Sequence, residues 1–255
     1  MSPAPKCKHD VPTFRFAKFR PLWCKIASVV LSIVCLHPVA YAPALSKGVM
    51  EWILTQFEEQ STSYMFGCVT MLVLVGSFWT GAIFYLVLYE TGLFRQYKIQ
   101  RGPWPWHQVD EQKRRKGVSE YRKMLLNAVL QTFWTIHIVF FLSPSFAFDF
   151  GPQLPEWHVS VGKMGALAVL GNAAIYCGHR LTHVIKPLYK YIHKTHHSVT
   201  DIYVLSAQFF HPVDNYLVNW LPVHLVAMAL RMHVLNYWIF MAAAVLQGVD
   251  EHSGM

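Results

Sequence analysis

The chain has 255 residues, a formal net charge of +8, 54% hydrophobic residues and only 14% charged ones, with a mean hydropathy of +0.28. A soluble domain carries about a quarter charged residues, so this composition excludes an ordinary cytosolic globule. The apolar residues gather into runs close to the roughly 20 residues a helix needs to cross a bilayer. The five cysteines are scattered with no C-x-x-C, which excludes a disulfide framework and a thiolate metal site.

In chain order, residues 1–21 are polar and basic, with no cleavage signature after a short apolar core. They read as a cytosolic N-terminal segment, not a secretory signal. An apolar run at 22–45, interrupted by His37, Pro38 and Pro43, is the first predicted span and a signal anchor. The segment 46–63 sets Glu51, Glu58 and Glu59 against Lys47, and the run 65–89 then has no charge at all. A basic segment at 91–123 carries Arg95, Lys98, Arg101, KRRK at 113–116, Arg122 and Lys123; its RGPWPW at 101–106 breaks the chain and suits headgroup depth. Runs at 124–142 and 159–177 are the third and fourth spans. A shorter pair, 217–230 and 234–249, is interrupted by Asn219, Pro222 and His224 and turns around Arg231 and His233. It reads as a hairpin or a shallow re-entrant element. The predicted fold class is therefore all-α: an integral membrane helical bundle of about four spans plus a membrane hairpin. The positive-inside rule places the N-terminus and 91–123 in the cytosol. Counting spans onward puts 144–158 in the lumen and 178–212 in the cytosol. The basic residues flank spans and do not line one folded face, so the charge speaks for anionic headgroups and against nucleic acid.

Five of the fourteen histidines fall in two clusters, HRLTH at 179–183 and HKTHH at 193–197. On a helix, positions i, i+3 and i+4 share a face. His179 would thus project with His183, and His193 with His196 and His197, while Pro187 lets two helices bend toward one centre. Neutral imidazole suits Zn, Cu and Fe. A basic exposed helix, with Arg180, Lys186, Lys190 and Lys194 interleaved, leaves that spacing unexplained, and these five histidines are expected to bind metal. His252, in VDEHSGM after the hairpin, is a further candidate ligand. His211, in FFHPVD, is expected to orient other groups or to stop a helix. His9 and His107 read as exposed, His158 and His233 as span-edge residues, and His37, His137 and His224 as hydrogen-bonded packing residues.

Apolar spans, H-x-x-x-H, H-x-x-H-H, HPV followed by an acid, an apolar hairpin and then D-E-H-S-G together resemble the membrane fatty acid hydroxylase/sterol desaturase superfamily, in particular its sterol C4-methyl oxidase and cholesterol 25-hydroxylase-like branch. LLN at 125–127 and YKIQ at 97–100 also look like that branch. The resemblance implies an endoplasmic-reticulum enzyme that uses di-iron and O₂ on a sterol or fatty-acyl C–H bond. Electrons would come from cytochrome b5 or its reductase, drawing on NAD(P)H. It implies ligand roles for His179, His183, His193, His196, His197 and His252, and three regions: the segment 1–21, N-terminal helices and basic loop over 22–123, and a hydroxylase-type domain over 124–255. Relatives carry another H-x-x-H-H box beyond H-S-G, and the chain stops at Met255 before it. The expectation is an incomplete dinuclear site without turnover. The alternative is a non-catalytic membrane protein that binds lipid or a partner enzyme. No G-x-G-x-x-G follows a strand, so nicotinamide is not expected to bind this chain. A haem held by paired histidines is disfavoured, because the clusters are juxtamembrane and closely spaced.

Overall fold

The computed structural model describes residues 43–255 apart from 95, 97, 100–102, 143–146 and 200–201; the predicted segment 1–21 and nearly all of the first predicted span lie outside the described residues. The regular secondary structure of those residues is all helical, with one isolated bridge between Asp149 and His233 and no strand. The helices are α1 (Pro43–Gln56), α2 (Thr62–Thr91), α3 (Glu111–Leu142), α4 (Trp157–Val184), α5 (Lys186–Tyr191), α6 (Leu221–Ala229) and α7 (Val234–Glu251). Between α5 and α6 lie 3-10 turns at His193–Ser198 and Val204–Gln208, a single helical turn at Pro212–Asp214, and a π-helical stretch at Asn215–Trp220.

Three helices, α2, α3 and α4, are long and apolar enough to cross a membrane. They coincide with the runs at 65–89, 124–142 and 159–177, but two are longer than hydropathy shows. α3 begins at Glu111, so the basic run 113–116 is helix and not loop. Asp110 accepts a hydrogen bond from the Lys113 amide at 2.9 Å, and Glu111 pairs with Arg114 and Arg115 one turn on. These are ordinary devices for starting a helix. α4 continues to Val184 and ends where Pro187 forbids further regular helix. α2 starts at Ser61, whose hydroxyl accepts from the Tyr64 amide, and stops at Gly92, whose φ of 69° closes the last turn by donating to Leu88.

The shorter pair is a helical hairpin. One arm is the turn at Pro212–Asp214, the π-helical stretch and α6; the other, α7, is about 27 Å long at helical rise. The turn between them is fastened by the Asp149 amide to the Met232 carbonyl (3.0 Å) and the Val234 amide to the Asp149 carbonyl (2.9 Å). His233 caps α7 by accepting from the Leu235 amide, and its Nε2 donates to the Gly151 carbonyl at 2.8 Å. A buried core lies at this end: Phe66, Phe148 and Tyr237 pack around His224, which bonds the Tyr237 hydroxyl at 3.1 Å and stacks on Trp220. His224 is thus the packing residue its apolar surroundings predict. α7 lies along α2: Gly81 leaves room there, since a Cβ would stand 3.1 Å from Val249, and Trp238 donates to the buried Thr70 hydroxyl at 2.9 Å. At the opposite end Tyr85 bonds Asp250, and Tyr89 donates to the Ser253 carbonyl. The outward faces of the three long helices stay apolar. Leu72, Phe133 and Val169 are exposed, the last by 70%. Helices apolar on their outer faces as well as inside are bilayer helices.

Candidate metal centre

α4 supplies the first histidine pair from its last two turns, with the Nε2 atoms of His179 and His183 3.0 Å apart. The break at Ile185 turns the chain, and the short α5 leads into the 3-10 turn that carries the second cluster. His193 Nε2 comes within 3.2 Å of His183 Nε2 and 2.9 Å of His197 Nε2. The ligand atoms of His179, His183, His193 and His197 all lie within 4.8 Å of one another.

His196 does not join them. Shared-face spacing places it with His193 and His197, but its ring centroid lies 6.5 Å from that of His193, against 4.6 Å for His197, and it turns away from the four. The His196 ring instead lies flat on Phe210, with centroids 4.1 Å apart, and 5.7 Å from the ring of His252. Phe210 is fixed from α3, because Asn127 and Gln131 both donate to its carbonyl, at 3.1 and 2.6 Å. His252 is oriented by its Nδ1, which donates to the Gly248 carbonyl at 2.8 Å. Six predicted histidines thus form a group of four and an adjoining pair. Among the described residues no third His, Cys, Asp or Glu joins the pair.

His193 reaches a residue that the sequence reading left without a role. Both Asp214 carboxylate oxygens stand 2.9–3.0 Å from His193 Nδ1, and both side chains are essentially inaccessible. Asp214 sits on the single turn that His211 caps by accepting from the Val213 amide, so His211 starts a helical turn and does not stop one. The acid of HPVD was visible in the motif; its reach to a histidine 21 positions earlier was not.

The donor chemistry fits a bound transition metal. The carboxylate accepts the proton on His193 Nδ1, which leaves Nε2 unprotonated and aimed at the other three rings. Two nitrogens on one ion at about 2.1 Å stand about 3.0–3.4 Å apart, close to the spacings seen here. Burial, then His193 and His183, hold His197 below its ordinary pKa; burial, then His252 and His197, bring His196 down to about 4. Both rings are therefore neutral near pH 7, the form that ligates. His196 Nδ1 is buried, facing the Phe209 backbone.

A cavity of about 480 Å³ runs from this pair into the helical bundle. Its walls come from α2, α3, α4, the π-helical stretch, α6 and α7. Phe210, Glu251 and His252 stand at one end; Leu74, Ile138 and Met164 lie far from them.

Residues 164–255 match the family model for fatty acid hydroxylases, in agreement with the resemblance carried by the histidine motifs. The chain is 29% identical to very-long-chain aldehyde decarbonylase GL1-11 of Oryza sativa subsp. indica over 191 residues, 73% of this chain and 66% of that protein. It is 24% identical to GL1-8 of the same plant over 209 residues, 80% and 71% of the two chains. It is 30% identical to methylsterol monooxygenase 1 of Gallus gallus over 102 residues, 40% of this chain and 34% of that protein. The match thus spans just under two thirds of the first relative's length and about a third of the last one's. No solved structure matches the chain.

Proposed function

We propose, for a chain whose residues 164–255 carry a fatty acid hydroxylase domain, that it is an iron-dependent membrane oxidoreductase acting on a C–H bond of a sterol or fatty-acyl lipid. The observation that carries this reading is the convergence of four imidazoles, together with a cavity walled by membrane helices that His252 lines. In this reading His179, His183, His193 and His197 hold one iron, and His196 and His252 belong to a second. Iron so held supplies activation of O₂ for attack on an unactivated C–H bond. Asp214 keeps His193 in the tautomer that presents Nε2. Phe210, pinned by Asn127 and Gln131, holds the His196 ring in place. The cavity takes the lipid from the bilayer and keeps bulk water from its apolar depth. Very-long-chain aldehyde and methylsterol, the substrates in the relatives' names, are both long, apolar and oxygen-bearing, which the cavity suits.

The remaining assignments belong to the same proposal. Electrons reach the site from cytochrome b5 or its reductase, and ultimately from NAD(P)H, through partner proteins. The chain resides in the endoplasmic reticulum with its histidines facing the cytosol. In support, the basic start of α3 and the histidines lie at one end of the bundle, linked through Asn127 and Phe210. The division into 1–21, 22–123 and 124–255 follows the same argument. Purified protein is expected to contain iron, to lose most of it in the variant His183→Ala/His193→Ala, and to keep it in His158→Ala. Equal iron in all three proteins would remove the reading.

A further inference from the structure

The cavity is not uniformly apolar: besides Gln131, Thr132 and Thr135 of α3 and Asn172 of α4, a group of polar residues gathers near His252. Along α7, Ile239 and His252 both line it and stand about 20 Å apart at helical rise. Near His252 the wall carries Gln208, Asn215, Asn219, Gln247 and Glu251; deeper in, Leu74, Ile138, Met164, Leu167, Ile239 and Met241 leave it apolar. Three of the amides form a ladder. Asn219 Nδ2 donates to Asn215 Oδ1 at 3.3 Å, and Asn215 Nδ2 donates to Gln208 Oε1 at 3.2 Å. Each bond consumes one donor and one acceptor, so the ends of the ladder keep hydrogen-bonding capacity: N–H groups on Gln208 and a carbonyl oxygen on Asn219. Both asparagines sit on the π-helical stretch Asn215–Trp220, where the Leu221 amide reaches back to Tyr216. Such widened turns recur at functional sites.

Charge narrows the ligand further. Among the described residues that line the cavity there is no Lys and no Arg, and the one carboxylate, Glu251, stands at the polar end. A phosphate, a coenzyme A thioester or an ionised fatty acid would place its anionic head where no Lys or Arg meets it and an acid side chain opposes it. A hydroxyl or carbonyl oxygen would instead satisfy the free ends of the ladder.

We propose that Gln208, Asn215 and Asn219 recognise an uncharged oxygen function, an alcohol or a carbonyl, on a long lipid whose tail fills the apolar depth. This inference rests on the reading that the cavity is the substrate chamber, and it deepens that reading in one respect. The oxygen-bearing end of the lipid, not its middle, lies beside His252 and His196, so the oxidised carbon is close to an existing oxygen substituent.

The test is binding, which needs no turnover. The purified full chain in detergent micelles is titrated with a mid-chain dibrominated octadecanol and with the matching octadecanoate, at mildly alkaline pH where the acid is ionised. Bromine quenches tryptophan fluorescence, and Trp220 lines the cavity. The alcohol is expected to bind about tenfold more tightly than the acid, as one or two hydrogen bonds allow. Gln208→Leu/Asn215→Leu should shrink that preference to about twofold. Gln208→Glu, which preserves shape, should widen it by repelling the acid. Trp220→Phe should remove most of the quenching, and Met164→Trp, which fills the apolar depth, should weaken both probes alike. The inference is overturned if the acid binds as well as the alcohol, if the ladder variants leave the preference unchanged, or if quenching survives Trp220→Phe. Metal content measured on the same samples separates the two readings. Iron present with no alcohol preference defeats the ladder alone, whereas an alcohol preference without iron defeats the oxidoreductase reading.

Discussion

Asp214 shows how much one buried side chain decides. Its carboxylate is held at 2.9 Å from His193 Nδ1 with no access to water. Partners of this kind fix the tautomer and raise the basicity of a ligating imidazole, and their loss typically costs about 10–100-fold in metal affinity. Asp214→Asn is therefore expected to weaken binding of a reporter metal such as Co(II) by that factor, read by chelator competition, with helicity retained. Unchanged affinity would mean that packing alone orients His193. The sequence made the histidines legible because their types and spacing are themselves the chemical signal. It did not reveal which of them meet. His196 and His197 are neighbours in the chain, yet only His197 closes on His193, while the His196 ring is held on Phe210 by a contact across the fold that spacing does not show. Asp214 escaped assignment for a related reason: its partner lies across a break that only the fold bridges.

The elements were legible where hydropathy dominates and not where charge does. The run at 65–89 reads directly as a span, while 111–123 reads as loop because hydropathy ignores the spacing of its charges. Glu111 with Arg114 and Arg115, at i+3 and i+4, was the helical signal in that stretch. The hairpin turn carries a prediction of its own. His233 caps α7 and donates to Gly151, and burial, its largest influence, lowers its pKa below the ordinary 6.5. The unfolded chain then binds the proton more readily than the folded one. Stability is full above about pH 6.5 and falls as the pH drops below that value. In chelator-treated protein, thermal unfolding temperatures from pH 7 to pH 5 are expected to decline, and His233→Asn, which keeps a capping side chain, should flatten the decline. An equal slope in the variant would assign the acid sensitivity elsewhere.

At the scale of the whole molecule, the histidine clusters and the α1–α2 connection lie at opposite ends of the 30-residue α2. Accessibility tags placed at 190 and at 56 are expected to report opposite sides of the membrane, with 190 cytosolic by the positive-inside rule. Tags on the same side would overturn that topology. The cavity was the least legible feature. Its polar lining comes from α3, α4, α7, the 3-10 turn before Phe210 and the π-helical stretch. In sequence, Gln208 and Asn215 fall outside the apolar runs, and Asn219 is a break in one. Their joint meaning exists only after the helices are assembled.

The exposed apolar faces of α2, α3 and α4 have a thermodynamic consequence. Lipid tails solvate Leu72 or Val169 as well as any neighbouring helix would, so expulsion of water does not hold these helices together. Their cohesion rests on close fit, as where Gly81 meets Val249, and on single polar bonds such as Trp238 to Thr70. A solvent that competes for those few contacts, such as a short-chain detergent, loosens the bundle without melting a helix, so secondary structure and site integrity fail at different concentrations.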